Sequence, residues 1–281
     1  MTALAGKALA RAAMWSIVPA ASVRHDSEEL GTSFVMYPTA PDGSAEVRTT
    51  ADARSLTALV IWDQVIAWCR EHRVTRLQWS VVRGSEPRAF AGLVDALGGV
   101  LTDSTDVLVA PIDAVLALPA PVTAVRAEVI QTRAQLVAGE AVARRVWGSG
   151  GHDADIEARV AALALPVGTR TGFGVLARDP SGLVVSVGEC TLESEIARLW
   201  GACTLETHRG RGAYPAVLRQ RLATARTGGA TVALARARAA TSAPIMRRHG
   251  FTCYATYDKY AIPLIAENSP GSRLNAHAGP G

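Results

Sequence analysis

Residues 207–222, THRGRGAYPAVLRQRL, limit the folds open to this chain more than any other stretch. A strand predicted to end at Leu205 leads into a loop with Gly210 and Gly212, and the following helix has Pro215 in its first turn. Glycines let a backbone approach a ligand closely, and the N–H groups of such a loop and helix start carry positive partial charge. The segment therefore predicts a strand–loop–helix anion site that suits a pyrophosphate.

This loop differs from the common nucleotide-binding loops. No Lys-Ser or Lys-Thr pair follows the second glycine, so it is not a P-loop, and its glycine spacing is too short for a dinucleotide-binding fingerprint. Backbone N–H groups do most of the binding in such nests. Arg209 and Arg211 would either strengthen the site or simply lie in solvent.

Composition excludes several other classes of protein. A chain of 281 residues with 49% hydrophobic content suits one large or two ordinary globular domains. The net charge of +4 comes from dispersed arginines, with Lys7 and Lys259 as the only lysines. Because no aromatic platforms alternate with the arginines, a nucleic-acid-binding module is a distant alternative. Neither a metal site nor a disulfide framework is predicted by the spacing of Cys69, Cys190, Cys203 and Cys253.

The N-terminal segment is a weak match to a signal peptide, because Lys7 and Arg11 interrupt its apolar run. An amphipathic helix over residues 3–16 is favoured instead. No stretch approaches the ~18 apolar residues of a membrane span. We therefore expect a cytoplasmic protein that does not associate with membranes.

Hydrophobic periodicity and turn residues predict the order of elements in each half. In the first half we expect strands at 31–41, 44–50 and 75–82, helices at 55–73 and 87–97, and a closing extended segment at 100–112. In the second half we expect a strand at 122–129, helices at 130–147 and 153–165, and antiparallel strands at 172–180, 182–192 and 195–205. The helix after the glycine loop is followed by a strand, a helix and a strand at 229–239, 241–249 and 250–264.

One internal match suggests a duplication. Residues 98–112 align with residues 250–264 at a constant offset of 152 without a gap, which matches Gly98 with Gly250, Asp106 with Asp258 and Pro111 with Pro263. The two halves are therefore predicted to be tandem copies of one unit, with chance similarity of two strand ends as the alternative. Predicted domains are 1–118 and 122–266, and residues 267–281 are predicted to form a disordered tail.

The glycine loop and its setting resemble the general N-acetyltransferase (GNAT) superfamily. Arg209–Tyr214, RGRGAY, is similar to the family's Q/R-x-x-G-x-G/A pyrophosphate signature, and it lies between a strand ending in CTLE and a helix. The element order from about Val122 to Leu264, with the pair Gly250-Phe251 after a short helix, follows that family too. The resemblance implies an α+β fold, a mixed and mostly antiparallel sheet flanked by helices.

The resemblance also implies a cosubstrate, acetyl-CoA or another acyl-CoA, and no metal. In the family the acyl-CoA lies where the strand before the signature parts from the strand after the signature helix. The backbone at Thr204 and Leu205 would then pair with the pantetheine arm. The pyrophosphate would be held by main-chain N–H groups of Arg209, Gly210, Arg211, Gly212, Ala213 and Tyr214.

Three positions depart from the family pattern. Tyr214 stands where the signature ends in Gly or Ala, Met246 stands where a thiolate-protonating tyrosine is common, and Ala239 or one of its neighbours lies where asparagine is frequent. These departures leave cofactor binding expected. They put the chemistry in more doubt, so a non-catalytic CoA-binding or regulatory protein is the second hypothesis.

An amine nucleophile must lose a proton near the time of its attack, so a carboxylate is expected near the acyl carbon. If the hairpin turns at Glu193-Ser194, Glu189 lies opposite Arg198, either as the general base or as half of a structural ion pair. Glu195, at the start of the strand, is the second candidate for the base. Trp200, Cys203 and His208 are predicted to be structural.

The sequence therefore predicts an N-acyltransferase that uses acyl-CoA and acts on the amine of a small molecule, because no peptide-docking segment is visible. The first half contains no R-x-x-G-x-G signature. A GNAT-like copy there would have lost its cofactor loop, and it would shape the acceptor cleft or form a homodimer surface.

Overall fold

A computed structural model describes residues 23–27, 32–36, 44–49, 58–83, 90–148, 153–166 and 169–264. The helix predicted at 3–16 and the tail predicted at 267–281 lie outside these residues. Within them, none of the helices is long and apolar enough to cross a membrane.

Two compact units make up the chain. Of the described residues, 107–237 and 241–254 form one, which we name the C-terminal unit. Those up to 106, with 238–240 and 255–264, form the N-terminal unit. The residues of two long strands are divided between these units, and the predicted domains, 1–118 and 122–266, stay a prediction.

The N-terminal unit alternates strands and helices after an opening hairpin. Its elements are β1 (Val23–Ser27), β2 (Thr32–Met36), β3 (Ser44–Thr49), α1 (Ala58–Glu71), β4 (Arg76–Val82), α2 (Phe90–Ala96) and β5 (Val100–Pro111). Strand β1 was not predicted, and the other elements confirm the sequence prediction. Strands β3 and β4 are parallel.

The C-terminal unit has the element order that the sequence predicts, with one additional helix, α3. The elements are α3 (Ile112–Ala117), β6 (Arg126–Val129), α4 (Arg133–Trp147), α5 (Asp153–Ala162), β7 (Gly172–Arg178), β8 (Val184–Glu193), β9 (Ile196–Thr204), α6 (Ala213–Thr227), β10 (Val232–Arg238), α7 (Ser242–Arg248) and β11 (Thr252–Pro263). With the part of β5 that belongs to this unit, residues 107–111, its strands lie in the order β5-β10-β9-β8-β7-β6. Neighbours from β6 to β9 are antiparallel, whereas β9 and β10 are parallel.

Helices cover both faces of this sheet, as the alternation of side chains along β7 shows. Val175 and Ala177 pack into the cluster that contains Val217 and Leu222 of α6, whereas Leu176 packs into the cluster that contains Leu136 of α4. Successive strand residues point to opposite faces, so α6 and α4 lie on opposite sides. The fold class is therefore the predicted one, a mixed sheet flanked by helices.

The internal match extends beyond the aligned sequence. The 12-residue strands β5 and β11 are displaced by 152 residues at both ends, and so are the 7-residue helices α2 and α7 that precede them. Each half also contains a parallel strand pair joined by a helix, β3-α1-β4 and β9-α6-β10. The structure thus repeats one strand–helix–strand–helix–strand order.

A buried carboxylate in the N-terminal unit engages the single lysine of the described residues. Glu46 on β3 is 4% exposed and accepts a hydrogen bond from the Ser80 hydroxyl at 3.0 Å. The Lys259 ammonium lies 3.8 Å from the same carboxylate oxygen. The hydroxyl and the ammonium group together compensate the charge that Glu46 carries into the core.

Candidate active site

The parallel strands β9 and β10 separate before they end. Their pairing begins at Ile196 with Val232 and stops at Leu199 with Ala235, although β9 continues as a strand to Thr204 and β10 continues past its last paired residue. Backbone groups beyond the last pair therefore face a gap rather than a neighbouring strand. This gap, which we name the cleft, is where the resemblance places the pantetheine arm.

A bulge in the ladder between β8 and β9 sets the geometry of β9 beside the cleft. The register shifts between Val187 and Glu189, and Gly201 on the facing stretch has a φ of 56°. A positive φ favours glycine, and a bulge bends the strand and increases its twist. The bulge thus turns β9 away from β10 at the point where their pairing ends.

Backbone directions at the end of β9 bear on two predicted cofactor contacts. The Leu205 N–H donates to the Val185 carbonyl of β8 at 2.9 Å, so it is not available to a ligand in the cleft. Neighbouring residues of a strand direct their N–H and C=O groups to opposite edges, so Thr204 faces the cleft. The contact of Thr204 with the pantetheine arm thus stays a prediction, and the Leu205 N–H is already bonded to β8.

The glycine loop lies between β9 and α6. Gly210 and Gly212 have φ values of 74° and 81°, in the left-handed region, and Gly212 is the N-cap of α6 without a side-chain capping bond. The first N–H groups of a helix lack intrahelical partners and point away from its N-terminus. The loop therefore offers the backbone donors and the positive potential that a pyrophosphate requires.

The two glycines have different surroundings. A Cβ on Gly212 would lie 2.7 Å from the Thr123 Cβ, whereas a Cβ on Gly210 would meet nothing within 4 Å. Thr123 also donates its hydroxyl to the Arg211 carbonyl at 2.8 Å. Gly212 thus permits close packing of the loop against the segment before β6, and Gly210 borders open space.

Arg209 and Arg211 are both exposed. Within the described part of the chain, neither guanidinium forms a hydrogen bond or an ion pair. Both side chains can therefore turn toward an anion held by the loop without breaking an existing contact.

Three charged side chains from three elements meet on the other side of the bulge. Arg159 of α5 bridges Glu140 of α4 and Glu189 of β8, with 2.7 Å between its Nη2 and the Glu189 Oε1. The side chains of Glu140 and Glu189 are 12% and 16% exposed. Burial raises the pKa of Glu189, and the Arg159 guanidinium only partly opposes this rise. The cluster carries one net negative charge when all three groups are ionised.

This cluster lines a small cavity that is about 100 Å³ in volume. Trp147, Trp200 and Gly201 also border it, so the cavity adjoins β9 at the start of the cleft. The Trp200 indole N–H donates to the Thr191 hydroxyl at 2.9 Å, which fixes the ring. The cavity therefore joins an apolar wall to two partly buried carboxylates.

The predicted pairing of Glu189 with Arg198 is wrong. Glu189 lies opposite Trp200, and Arg198 lies opposite Thr191 and forms an ion pair with Glu193. The turn is at Ser194-Glu195, one residue later than the sequence suggested, and this moves every cross-strand partner. The arginine that pairs with Glu189 is instead Arg159, on helix α5.

The other candidate residues are placed away from the cleft or in the core. Glu195 lies in the turn at the start of β9, where it accepts a hydrogen bond from the Thr231 hydroxyl at 3.2 Å, so the structure does not bring it to the cleft. Cys203 is buried, and burial raises the pKa of its thiol to about 12, which agrees with a structural role. His208 contacts Asp179 and Thr207, also as a structural residue.

The sequence reading missed a buried arginine beneath the bulge. Arg221 of α6 is 1% exposed, and its Nη1 donates to the Glu189 and Trp200 carbonyls at 3.2 and 3.5 Å. Gly188 makes room for it, since a Cβ there would lie 2.9 Å from the Arg221 Cζ. A charged residue on the apolar stripe of α6 was the available signal. Its guanidinium fixes the carbonyls of both strands where the ladder shifts.

Comparison with solved structures identifies the fold. A GCN5-related N-acetyltransferase from Kribbella flavida has 17% identity and a TM-score of 0.58, with 88% of this chain and 91% of that one covered. One from Sphaerobacter thermophilus has 16% identity and a TM-score of 0.62, with 84% and 78% covered. A tandem GNAT protein from the clavulanic acid biosynthesis pathway has 13% identity and a TM-score of 0.57, with 91% and 87% covered.

The chain therefore has the fold of the GNAT acetyltransferases, and its overall length is similar to that of a tandem GNAT protein. No protein-family model and no curated protein matches the sequence. Among the described residues, no group of three or more His, Cys, Asp or Glu side chains could hold a metal ion.

Proposed function

We propose that the protein is an N-acyltransferase that takes an acyl group from acetyl-CoA or a related acyl-CoA and gives it to the amine of a small molecule. The observation that carries the proposal is the cleft between β9 and β10, with the glycine loop at one end and the carboxylate-lined cavity at the other. A pyrophosphate-binding loop and an amine-binding cavity on the two sides of one cleft are what acyl transfer from CoA to an amine needs.

The residues at the loop fit the CoA group. Backbone donors at Gly210–Ala213 would hold the pyrophosphate, and Thr204 would pair with the pantetheine arm. When bound, acyl-CoA supplies an acyl group on a thiol leaving group. The exposed guanidinium groups of Arg209 and Arg211 would add charge-assisted hydrogen bonds to phosphate oxygens.

The cavity fits the acceptor. The net negative charge of Glu140, Arg159 and Glu189 favours a cationic amine, and Trp147 and Trp200 provide an apolar wall for its carbon skeleton. Because its pKa is raised, Glu189 is a better proton acceptor at neutral pH than an ordinary carboxylate. It would take the proton that the ammonium must lose before nitrogen can attack.

The first test is calorimetric titration of acetyl-CoA into the purified chain, followed by a mass-spectrometric screen of amines for acetylated products. We expect saturable binding and at least one acetylated small amine. Binding without a product from any amine would favour the second hypothesis, a non-catalytic CoA-binding protein. No heat at millimolar acetyl-CoA would reject both.

A further inference from the structure

A glycine in the middle of helix α4 enlarges the cavity beside β9. Gly139 is buried and lines the cavity, and it lies in the interior of a helix, where glycine costs stability relative to alanine. A Cβ at this position would lie 3.4 Å from Val187 Cγ1 and 3.6 Å from Ile130 Cδ1, which is ordinary van der Waals contact. Neither packing nor a positive φ therefore requires glycine here. The missing side chain leaves space in the cavity.

The charges around this space favour a cation and oppose an anion. Arg159 is the single cationic side chain among the described residues that line the cavity. Its two terminal nitrogens are bound to the carboxylates of Glu140 and Glu189. A carboxylate on the acceptor would therefore enter beside two anions whose cation is already engaged. Repulsion between like charges is strong where water is largely excluded.

The rest of the wall is mostly apolar. Leu136 of α4 and Val187 of β8 are buried on it, and the indole N–H of Trp200 is already donated to the Thr191 hydroxyl. Trp147 also borders the cavity but is 51% exposed, so its ring lies at the rim. A hydrocarbon in the cavity would cover this ring, and burial of apolar surface would favour its binding.

We propose that the acceptor is an amine on a compact hydrocarbon or aromatic skeleton without a carboxylate, with Gly139 as the residue that sets its size and Glu140 as the residue that selects its charge. This deepens the proposed acyltransferase function and rests on it. The ammonium group would lie at Glu189, and the skeleton would fill the space beside Gly139 and contact Trp147. Amino acids, which carry a carboxylate next to the amine, would be rejected.

Two pairs of compounds test the charge selection, because the members of each pair differ only by a carboxylate: isobutylamine with valine, and 2-phenylethylamine with phenylalanine. In the wild type we expect kcat/KM for each amine to exceed that for its amino acid by at least about 100-fold. Glu140→Gln should reduce this ratio by about tenfold or more, mainly through KM, because it removes one of the two anions. Glu140→Asp keeps the charge and should keep most of the ratio.

Gly139→Ala tests the size assignment. The protein has room for the methyl group, so the melting temperature should be kept or raised, and acetyl-CoA affinity should be unchanged. The ratio of kcat/KM for 2-phenylethylamine to that for isobutylamine should fall by about tenfold or more, because the methyl group occupies space that the larger amine needs. Gly92→Ala is the matched control, since it makes the same change in helix α2 of the N-terminal unit, and it should leave the ratio unchanged.

The failures of the two proposals are distinguishable. Equal or higher kcat/KM for the amino acids would overturn the charge selection and would indicate that Arg159 leaves its carboxylates to bind the acceptor. An unchanged size ratio in Gly139→Ala would overturn the size assignment. In both cases the acyltransferase function stands. No acetylated product from any amine would overturn that function, and the acceptor assignment with it.

Discussion

The two parallel strand pairs of this protein have the same connection and different endings. In the N-terminal half every residue of β3, from Ser44 to Thr49, is paired with β4. In the C-terminal half β9 loses its partner after Leu199 and continues to Thr204. The first pair is closed and the second is open, although in each case the connecting helix begins nine residues after the first strand ends.

The segments between the first strand of each pair and the connecting helix also differ in sequence. Residues 205–212 are LETHRGRG and residues 50–57 are TADARSLT. At the 155-residue spacing of the two helix starts, Arg54 corresponds to Arg209, but Ser55 and Thr57 stand where Gly210 and Gly212 have positive φ. One arginine is thus common to both halves, whereas the glycines and the open strand pair occur together. From this comparison we expect that CoA binding, if it occurs as proposed, requires both the loop and the cleft.

Replacement of the glycine loop by the corresponding N-terminal segment should have the largest effect on cofactor binding. If residues 205–212 are replaced by TADARSLT, we expect acetyl-CoA binding to disappear at millimolar ligand in calorimetry. The reason is that side chains would occupy two positions with left-handed backbone, and one of them would meet Thr123. Circular dichroism would establish that the variant folds.

The reverse exchange is the matched control. With LETHRGRG at residues 50–57, the N-terminal half would gain the loop but keep its closed strand pair, so we expect no second CoA site. A stoichiometry of two would contradict the requirement for the cleft.

Glu189→Gln would keep the cleft and remove the proton acceptor. We expect acetyl-CoA affinity to be unchanged and turnover of the identified amine to fall by about 10²–10⁴-fold. Glu140→Gln is the control, because it removes the other carboxylate that binds Arg159. An equal loss in both variants would make Glu189 only one part of a charge cluster.

The pH dependence has a defined sign. Burial raises the pKa of Glu189 above its ordinary 4.5, so the acidic limb of kcat/KM should lie above that pH and disappear in Glu189→Gln. The folded protein binds more protons than the unfolded chain between the ordinary and the raised pKa. The wild type should therefore lose stability relative to Glu189→Gln as the pH rises through this window, which urea titrations at several pH values would measure.

Arg221→Ile would give the C-terminal half the residue type that the N-terminal half has at the corresponding position, Ile66. Replacement of a buried charge by an apolar side chain is often neutral or stabilising, and the Arg221 Nε has no hydrogen-bond partner among the described residues. We expect the melting temperature to be kept or raised and turnover to fall by about 100-fold through loss of positioning. A loss of folding would show instead that the guanidinium is structurally required.

The smallest expected effects come from a pair of glycines. Gly188→Ala should destabilise the C-terminal unit by about 1–3 kcal/mol, because the new Cβ would lie 2.9 Å from the Arg221 Cζ. Gly92→Ala, in helix α2 with no atom within 4 Å of the new Cβ, should stabilise by about 0.5–1 kcal/mol. Chemical denaturation of both variants would check the opposite signs.

The sequence predicted the C-terminal elements and the glycine loop because these depend on local patterns, such as the turn residues and the helix start at Ala213. It misplaced the partner of Glu189, because register depends on where the turn closes and on the bulge near Gly201. It missed Arg159 as that partner, since a contact between a helix and a strand thirty residues away leaves no periodic signal.

The sequence contains a signal for one feature that the sequence analysis did not predict, the buried Arg221. Arg221 shares a helix face with the apolar Leu218, and a charge on such a face indicates a buried polar function. The structural requirement for glycine at position 212 could not be predicted from such a pattern. Sequence reasoning attributed it to a phosphate, whereas the packing of Thr123 against the loop also requires it.

The ion pair between Lys259 and Glu46 has a practical chemical consequence. Thioesters acylate exposed lysine amines spontaneously, and a protein kept with an acyl donor accumulates such adducts. This chain contains two lysines, and the amine of Lys259 is engaged by a buried carboxylate. Spontaneous acylation of the Lys259 amine should therefore be slow, so in intact-mass spectra this residue would add little background to the signal from enzymatic transfer.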